Sequence, residues 1–150
     1  MRKCRKGFTL IEIAIVLAIF GILLAVMFPK LQKPLAQYQL RSTSIQLASD
    51  MRLVRQQSIF GRAYVVNLQV SPQEGFYSIR DSASVVVQRF LPPGIHFKEV
   101  ILDKNTLNFS LTGAPSSAGR IGLTNNFGET CYVYFMPSSG RIRVDCSGDK

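Results

Sequence analysis

Residues 6–28 read KGFTLIEIAIVLAIFGILLAVMF, and the 21 residues from Phe8 to Phe28 carry a single charge, Glu12. At about 1.5 Å per residue a helix of that length reaches about 30 Å, the thickness of a bilayer's hydrocarbon core, so the stretch predicts a membrane-spanning helix. Arg2, Lys3, Arg5 and Lys6 precede it. Positive flanks stay on the cytoplasmic side, which puts residues 30–150 outside. A secretory signal peptide shares the basic start, but its apolar run is about 7–15 residues and ends in a small-x-small cleavage site. Here the run continues into Phe28-Pro29-Lys30 without one.

Outward from this stretch the composition bounds the rest. A chain of 150 residues has room for one modest core. It is 47% hydrophobic and carries 18 Lys+Arg against 9 Asp+Glu, a net charge of +9, unlike either a disordered polar chain or an acidic soluble enzyme. Leu40, Leu47, Ala48, Met51, Val54 and Ser58 keep a helical repeat, while Arg41, Gln46, Asp50, Arg52 and Gln56 take other faces. This predicts an amphipathic continuation of the first helix over 29–61, ending near Gly61, with Pro29 and Pro34 as expected kinks. Arg52 and Arg55 read as a solvated face or an anchor to a sheet.

From residue 62 to 150 the period changes to two. Candidate strands are Ala63 to Val70, Phe76 to Arg80, Ser84 to Phe90, Ile95 to Val100, Thr106 to Ser110, Arg120 to Thr124, Glu129 to Met136 and Arg141 to Asp145. Pro- and Gly-containing turns separate several of them, and 114–119 reads as a mobile loop. The expected architecture is α+β: a long N-terminal helix packed on two small antiparallel sheets.

Lys6-Gly7-Phe8-Thr9-Leu10-Ile11-Glu12 resembles the cleavage and methylation signature of type IV prepilins and pseudopilins. The resemblance implies that residues 1–7 are a leader, that a prepilin peptidase cuts after Gly7 and methylates the new amino terminus on Phe8, and that 8–28 is both membrane anchor and filament core. A carboxylate inside an apolar span costs about 2.5–3.5 kcal/mol on insertion scales, so Glu12 calls for a partner unless it stays hydrated near the interface. The resemblance implies one: the amino group of Phe8 on a neighbouring pilin. Leu47 to Ile59 is similar to the stretch after the stalk start in the GspH/FimT branch of these proteins. The implied partners are the prepilin peptidase, inner-membrane lipid and other pilins in a helical filament.

If the leader is removed, Cys4 goes with it and the later cysteines are Cys131 and Cys146. Should Pro137 to Gly140 form a four-residue hairpin loop, Met136 faces Arg141, Phe135 faces Ile142, Val133 faces Val144 and Cys131 faces Cys146. Directly opposed residues approach to about 4.5–5.5 Å, within disulfide range, and a location outside the cytoplasm permits the oxidation. The same register points Ile142 and Val144 inward and Arg141, Arg143 and Asp145 outward.

Gly140-Arg141-Ile142-Arg143 resembles a Gly-Arg-x-Arg motif near the C-terminus of FimT-type minor pilins, which implies contact with double-stranded DNA during natural transformation. Loss of the leader's four cations takes the net charge from +9 to +5, still basic. Solubility is the plainer reading of that charge. Arg120 and Lys104 are candidate helpers. No phosphate loop or nucleophile motif occurs, His96 is a lone imidazole, and the cysteines suit a bridge better than a metal, so neither enzyme activity nor a cofactor is expected. A type II secretion minor pseudopilin of the H type, exporting protein without binding DNA, is the alternative.

Overall fold

A computed structural model describes residues 9–60, 66–81 and 84–146, residues 26 and 29 by backbone alone. The chain separates into two units, residues 1–35 and 36–150. One helix, α1 (Leu10–Ile59), starts in the first and ends in the second.

In the first unit the helix begins at a side-chain cap. The Glu12 amide donates to the Thr9 hydroxyl at 3.3 Å, and Thr9-Leu10-Ile11-Glu12 has the spacing of a capping box. Leu10, Ile11, Leu17, Phe20, Ile22 and Leu24 are all more than half exposed, so apolar side chains point outward around the whole helix. Such a surface is built for lipid or for other helices, not for water. No single described helix is long and apolar enough to cross a membrane alone. Leu10–Ala25 and Lys30–Ile59, taken together across a break, are so by length and composition. The break coincides with Pro29, which lacks the amide hydrogen an intact turn needs, whereas the helix runs on through Pro34. The Gly7–Phe8 junction lies outside the described residues.

In the second unit Leu40, Ser44, Leu47, Ala48, Met51, Val54 and Ser58 form the buried stripe of α1. Two antiparallel sheets complete the core. Strands β1 (Val66–Ser71), β2 (Phe76–Asp81), β3 (Ser84–Phe90) and β5 (Thr106–Asn108) form the first, in the order β3-β2-β1-β5. Strands β4 (Ile95–Ile101), β6 (Gly119–Asn125), β7 (Thr130–Phe135) and β8 (Ile142–Cys146) form the second, in the order β4-β6-β7-β8. Leu68, Val70, Ile79 and Leu107 of the first sheet and Ile121, Leu123, Val133 and Phe135 of the second are buried in one cluster with the helix stripe. The fold is the expected α+β arrangement.

Two local expectations change. Asp50, read as an outward residue, is 5% exposed. Its carboxylate accepts from the Tyr77 hydroxyl at 2.7 Å, from Arg89 Nε at 2.7 Å and from Gln46 Nε2 at 3.2 Å, which is what lets a charge sit there. Segment 114–119 is pinned at its start rather than free: Pro115 is buried and bridges Phe109, and the Ser116 amide donates to the Asn108 carbonyl at 2.9 Å.

Candidate functional site

The β7–β8 hairpin carries the C-terminal arginines, and its geometry starts from the turn. The Met136 amide donates to the Arg141 carbonyl at 3.2 Å and the Gly140 amide to the Met136 carbonyl at 2.9 Å, closing a four-residue loop over 137–140. Gly140 has φ 59°, the left-handed region, and a Cβ there would lie 2.5 Å from the Gly113 carbonyl oxygen and 2.9 Å from the Arg55 guanidinium. Glycine is therefore required both by conformation and by space. The ladder pairs Phe135 with Ile142, Val133 with Val144 and Cys131 with Cys146, and the two cysteines form a disulfide.

Of two arginines of α1 near this hairpin, Arg52 bonds it directly and Arg55 bonds the turn beside it. Arg52 donates to the Ile142 carbonyl at 3.3 Å, and Arg55 Nε donates to the Gly113 carbonyl at 3.0 Å, on the turn against which Gly140 rests. Of the two roles open to this pair, they take the anchor. Their guanidiniums satisfy carbonyls that the ends of strands and turns leave without a ladder partner.

On the outward face Arg141, Arg143 and Asp145 are all exposed. With Tyr134 and Met136 they line a groove of about 270 Å³. Arg143 and Asp145 approach to 3.9 Å, with 68% and 52% of their side chains exposed, a contact of little energetic weight. The expected helpers do not join them. Arg120 donates twice to the Glu99 carboxylate, at 2.9 and 3.2 Å, and lies 5.3 Å from the centre of the Tyr132 ring. Hydrogen bonding to Glu99, with a smaller contribution from Tyr134, holds its basicity above the usual guanidinium value. Lys104 sits in the Asp103–Asn105 turn between β4 and β5, away from the hairpin in the chain. His96 is exposed on β4, an edge strand.

Tyr134 is what the sequence reading missed at this site, and Asp145, expected on the outward face, was given no role there. The alternation rule marks both as outward once the hairpin register is known. Their proximity to the arginines needed the pairing of Arg143 with Tyr134 and of Asp145 with Tyr132. At the other end of the chain, Glu12 is exposed on the first turn of α1, where its carboxylate complements the helix dipole.

Residues 2–28 match the family described as the prokaryotic N-terminal methylation motif. The sequence is 29% identical over 140 residues to the competence protein ComGD of Bacillus subtilis strain 168, covering 93% of each chain. The fold is similar to that of the minor pseudopilin EpsH from the type 2 secretion system of Vibrio cholerae, with a TM-score of 0.60 at 10% identity, over 74% of this chain and 99% of that one.

Proposed function

Because the chain is a type IV pilin-like protein, we propose that it works as a minor pilin or pseudopilin, a non-catalytic subunit held in an envelope filament by its apolar helix. The observation that carries this reading is the methylation motif at the head of a helix with apolar side chains exposed all around, on a chain whose remainder folds as an α+β unit. A prepilin peptidase removes residues 1–7 and methylates Phe8; residues 8–28 then anchor the subunit in inner-membrane lipid with the α+β unit outside. Glu12 has two successive uses in this account. Within one subunit it supports the helix start beside the Thr9 cap, and in the filament it neutralises the Phe8 amino group of a neighbour, so the charge becomes paired only on assembly.

The finer reading is a subunit of a competence pilus that contacts DNA. The resemblance of Gly140-Arg141-Ile142-Arg143 to the motif of DNA-binding minor pilins and the similarity to a competence protein support it. So does the outward exposure of both guanidiniums on a hairpin tied by a disulfide and by Arg52 of the helix. Two adjacent guanidiniums engage neighbouring phosphates and read no base, so duplex binding is weak, independent of sequence and sensitive to salt.

Two experiments test the account. Intact-mass and N-terminal analysis of membrane-derived protein gives a chain starting at N-methylated Phe8; a start at Met1 or beyond Pro29 overturns the pilin assignment. In duplex titrations of the detergent-solubilised full chain, Arg141→Gln with Arg143→Gln abolishes most binding, and the slope of log K against log salt becomes shallower by about 0.9 for each phosphate that is no longer neutralised. If the wild-type chain does not bind at low salt, the DNA role falls and the purely structural pilin or secretion reading stands.

A further inference from the structure

The outward face of the sheet β4-β6-β7-β8 alternates cations with phenol rings. Register puts Arg143 opposite Tyr134 and Tyr134 opposite Arg120. These two arginines do different things. Arg120 is bound twice by Glu99 and covers Tyr132, whose ring centre lies 6.0 Å from that of Tyr134, so it braces the tyrosine pair rather than offering a charge to solvent. Tyr134 is thus backed by the Tyr132 ring, and it also walls the groove. Arg141 and Arg143 supply exposed positive charge at the groove, Met136 supplies an apolar surface and Asp145 a hydrogen-bond acceptor.

This set of groups matches a nucleotide part by part. The guanidiniums suit a phosphate, the fixed phenol ring suits the flat face of a base, and the carboxylate suits an exocyclic amino group such as that of cytosine. A paired, stacked base has its faces covered by its neighbours, so a duplex can offer this recess only phosphates. We infer that the groove takes one unpaired nucleotide of a DNA strand, at a single-stranded tract or a frayed end, with the base on Tyr134 and the flanking phosphates on Arg141 and Arg143. The inference rests on the hairpin being a DNA contact and adds which form of DNA it holds.

Fluorescence anisotropy on the detergent-solubilised full chain, at low salt, tests it with three labelled probes of equal length: oligodeoxycytidine, oligodeoxythymidine and a blunt mixed-sequence duplex. The expected result is that oligodeoxycytidine binds at least about fivefold tighter than the duplex, the smaller end of what stacking one base on an aromatic ring is worth. Tyr134→Leu removes that difference and Tyr134→Phe, which keeps the ring, restores it. Asp145→Asn removes the preference for oligodeoxycytidine over oligodeoxythymidine. A duplex bound as tightly as the single strands, or a Tyr134→Leu variant that lowers all three probes alike, overturns the groove while leaving the phosphate contact standing. Failure of the wild-type chain to bind any of the three overturns both.

Discussion

Two clusters in the 36–150 unit use the same three residue types and end up as different things. Inside, Asp50 of α1 takes hydrogen bonds from Tyr77 of β2 and Arg89 of β3, and the carboxylate is almost wholly shielded. Outside, Asp145 and Arg143 of β8 lie next to Tyr134 of β7 with most of their charged surface in water. In the first cluster the low dielectric makes each hydrogen bond strong and each loss expensive, so the trio fastens the helix to the sheet β3-β2-β1-β5. In the second, water screens the pair, little stability is at stake, and the same chemistry stays available to a ligand. Burial, not composition, separates a fastener from an exposed, unspent cluster.

Substitutions in and behind each cluster can break this contrast. The largest expected effect comes from the bridge behind the outer cluster: Cys131→Ser with Cys146→Ser costs about 3 kcal/mol in chemical denaturation, the amount expected for opening a loop of about 15 residues. An unchanged midpoint would mean that β8 is held by its ladder and by Arg52 alone. Next, Asp50→Asn costs about 2 kcal/mol, because an amide replaces a carboxylate that now accepts charge-assisted bonds, whereas Asp145→Asn changes stability by less than about 0.5 kcal/mol. Equal effects from these two substitutions would erase the distinction between the clusters.

Tyr77→Phe comes third, at about 1.5 kcal/mol, with a pH signature. Burial first, and then the Asp50 carboxylate, push the Tyr77 phenol well above its ordinary value. The folded chain therefore keeps this proton at pH values where the unfolded chain, ionising near about 10, has released it. The sign follows from linkage: stability is insensitive to this group below about pH 10 and falls as pH rises beyond it. Urea midpoints taken across that range drop more steeply for the wild type than for Tyr77→Phe. The smallest effect sharpens the outer cluster. Asp145→Asn removes the one negative charge that lines the groove among the described residues and raises duplex affinity at low salt, a gain that disappears as salt increases.

The sequence made the frame of the fold legible because the periods are clean. The 21 apolar residues, the change from helical to alternating spacing and the Pro137–Gly140 turn each have a single physical reading, and the hairpin register follows from loop length alone. Asp50 defeated the same method, since a helical wheel gives polarity by position and cannot see Tyr77 and Arg89 arriving from another layer. Arg120 misled for a related reason: a cation counted along the chain looks available until Glu99, across β4 and β6, is seen to hold it. Glu12 carried a second meaning in plain view, because Thr9 three residues earlier makes it the far end of a capping box. In the hairpin, the glycine of Gly140-Arg141-Ile142-Arg143 is explained by a close approach to Gly113 that no local rule foresees.

The disulfide between Cys131 and Cys146 also decides how the hairpin responds to being pulled. A load applied at Arg141 or Arg143 falls inside the ring that the bridge closes. Without the bridge β8, an edge strand near the C-terminus, could peel from β7 one ladder pair after another, each breaking alone under a small force. With it, both ends of the loaded segment are tied to β7 by covalent bonds, and lengthening stops once the enclosed residues are taut. Tension then passes into β7 and on to β6 through two ladders, so the hairpin withstands a pull that would unzip an unbridged edge.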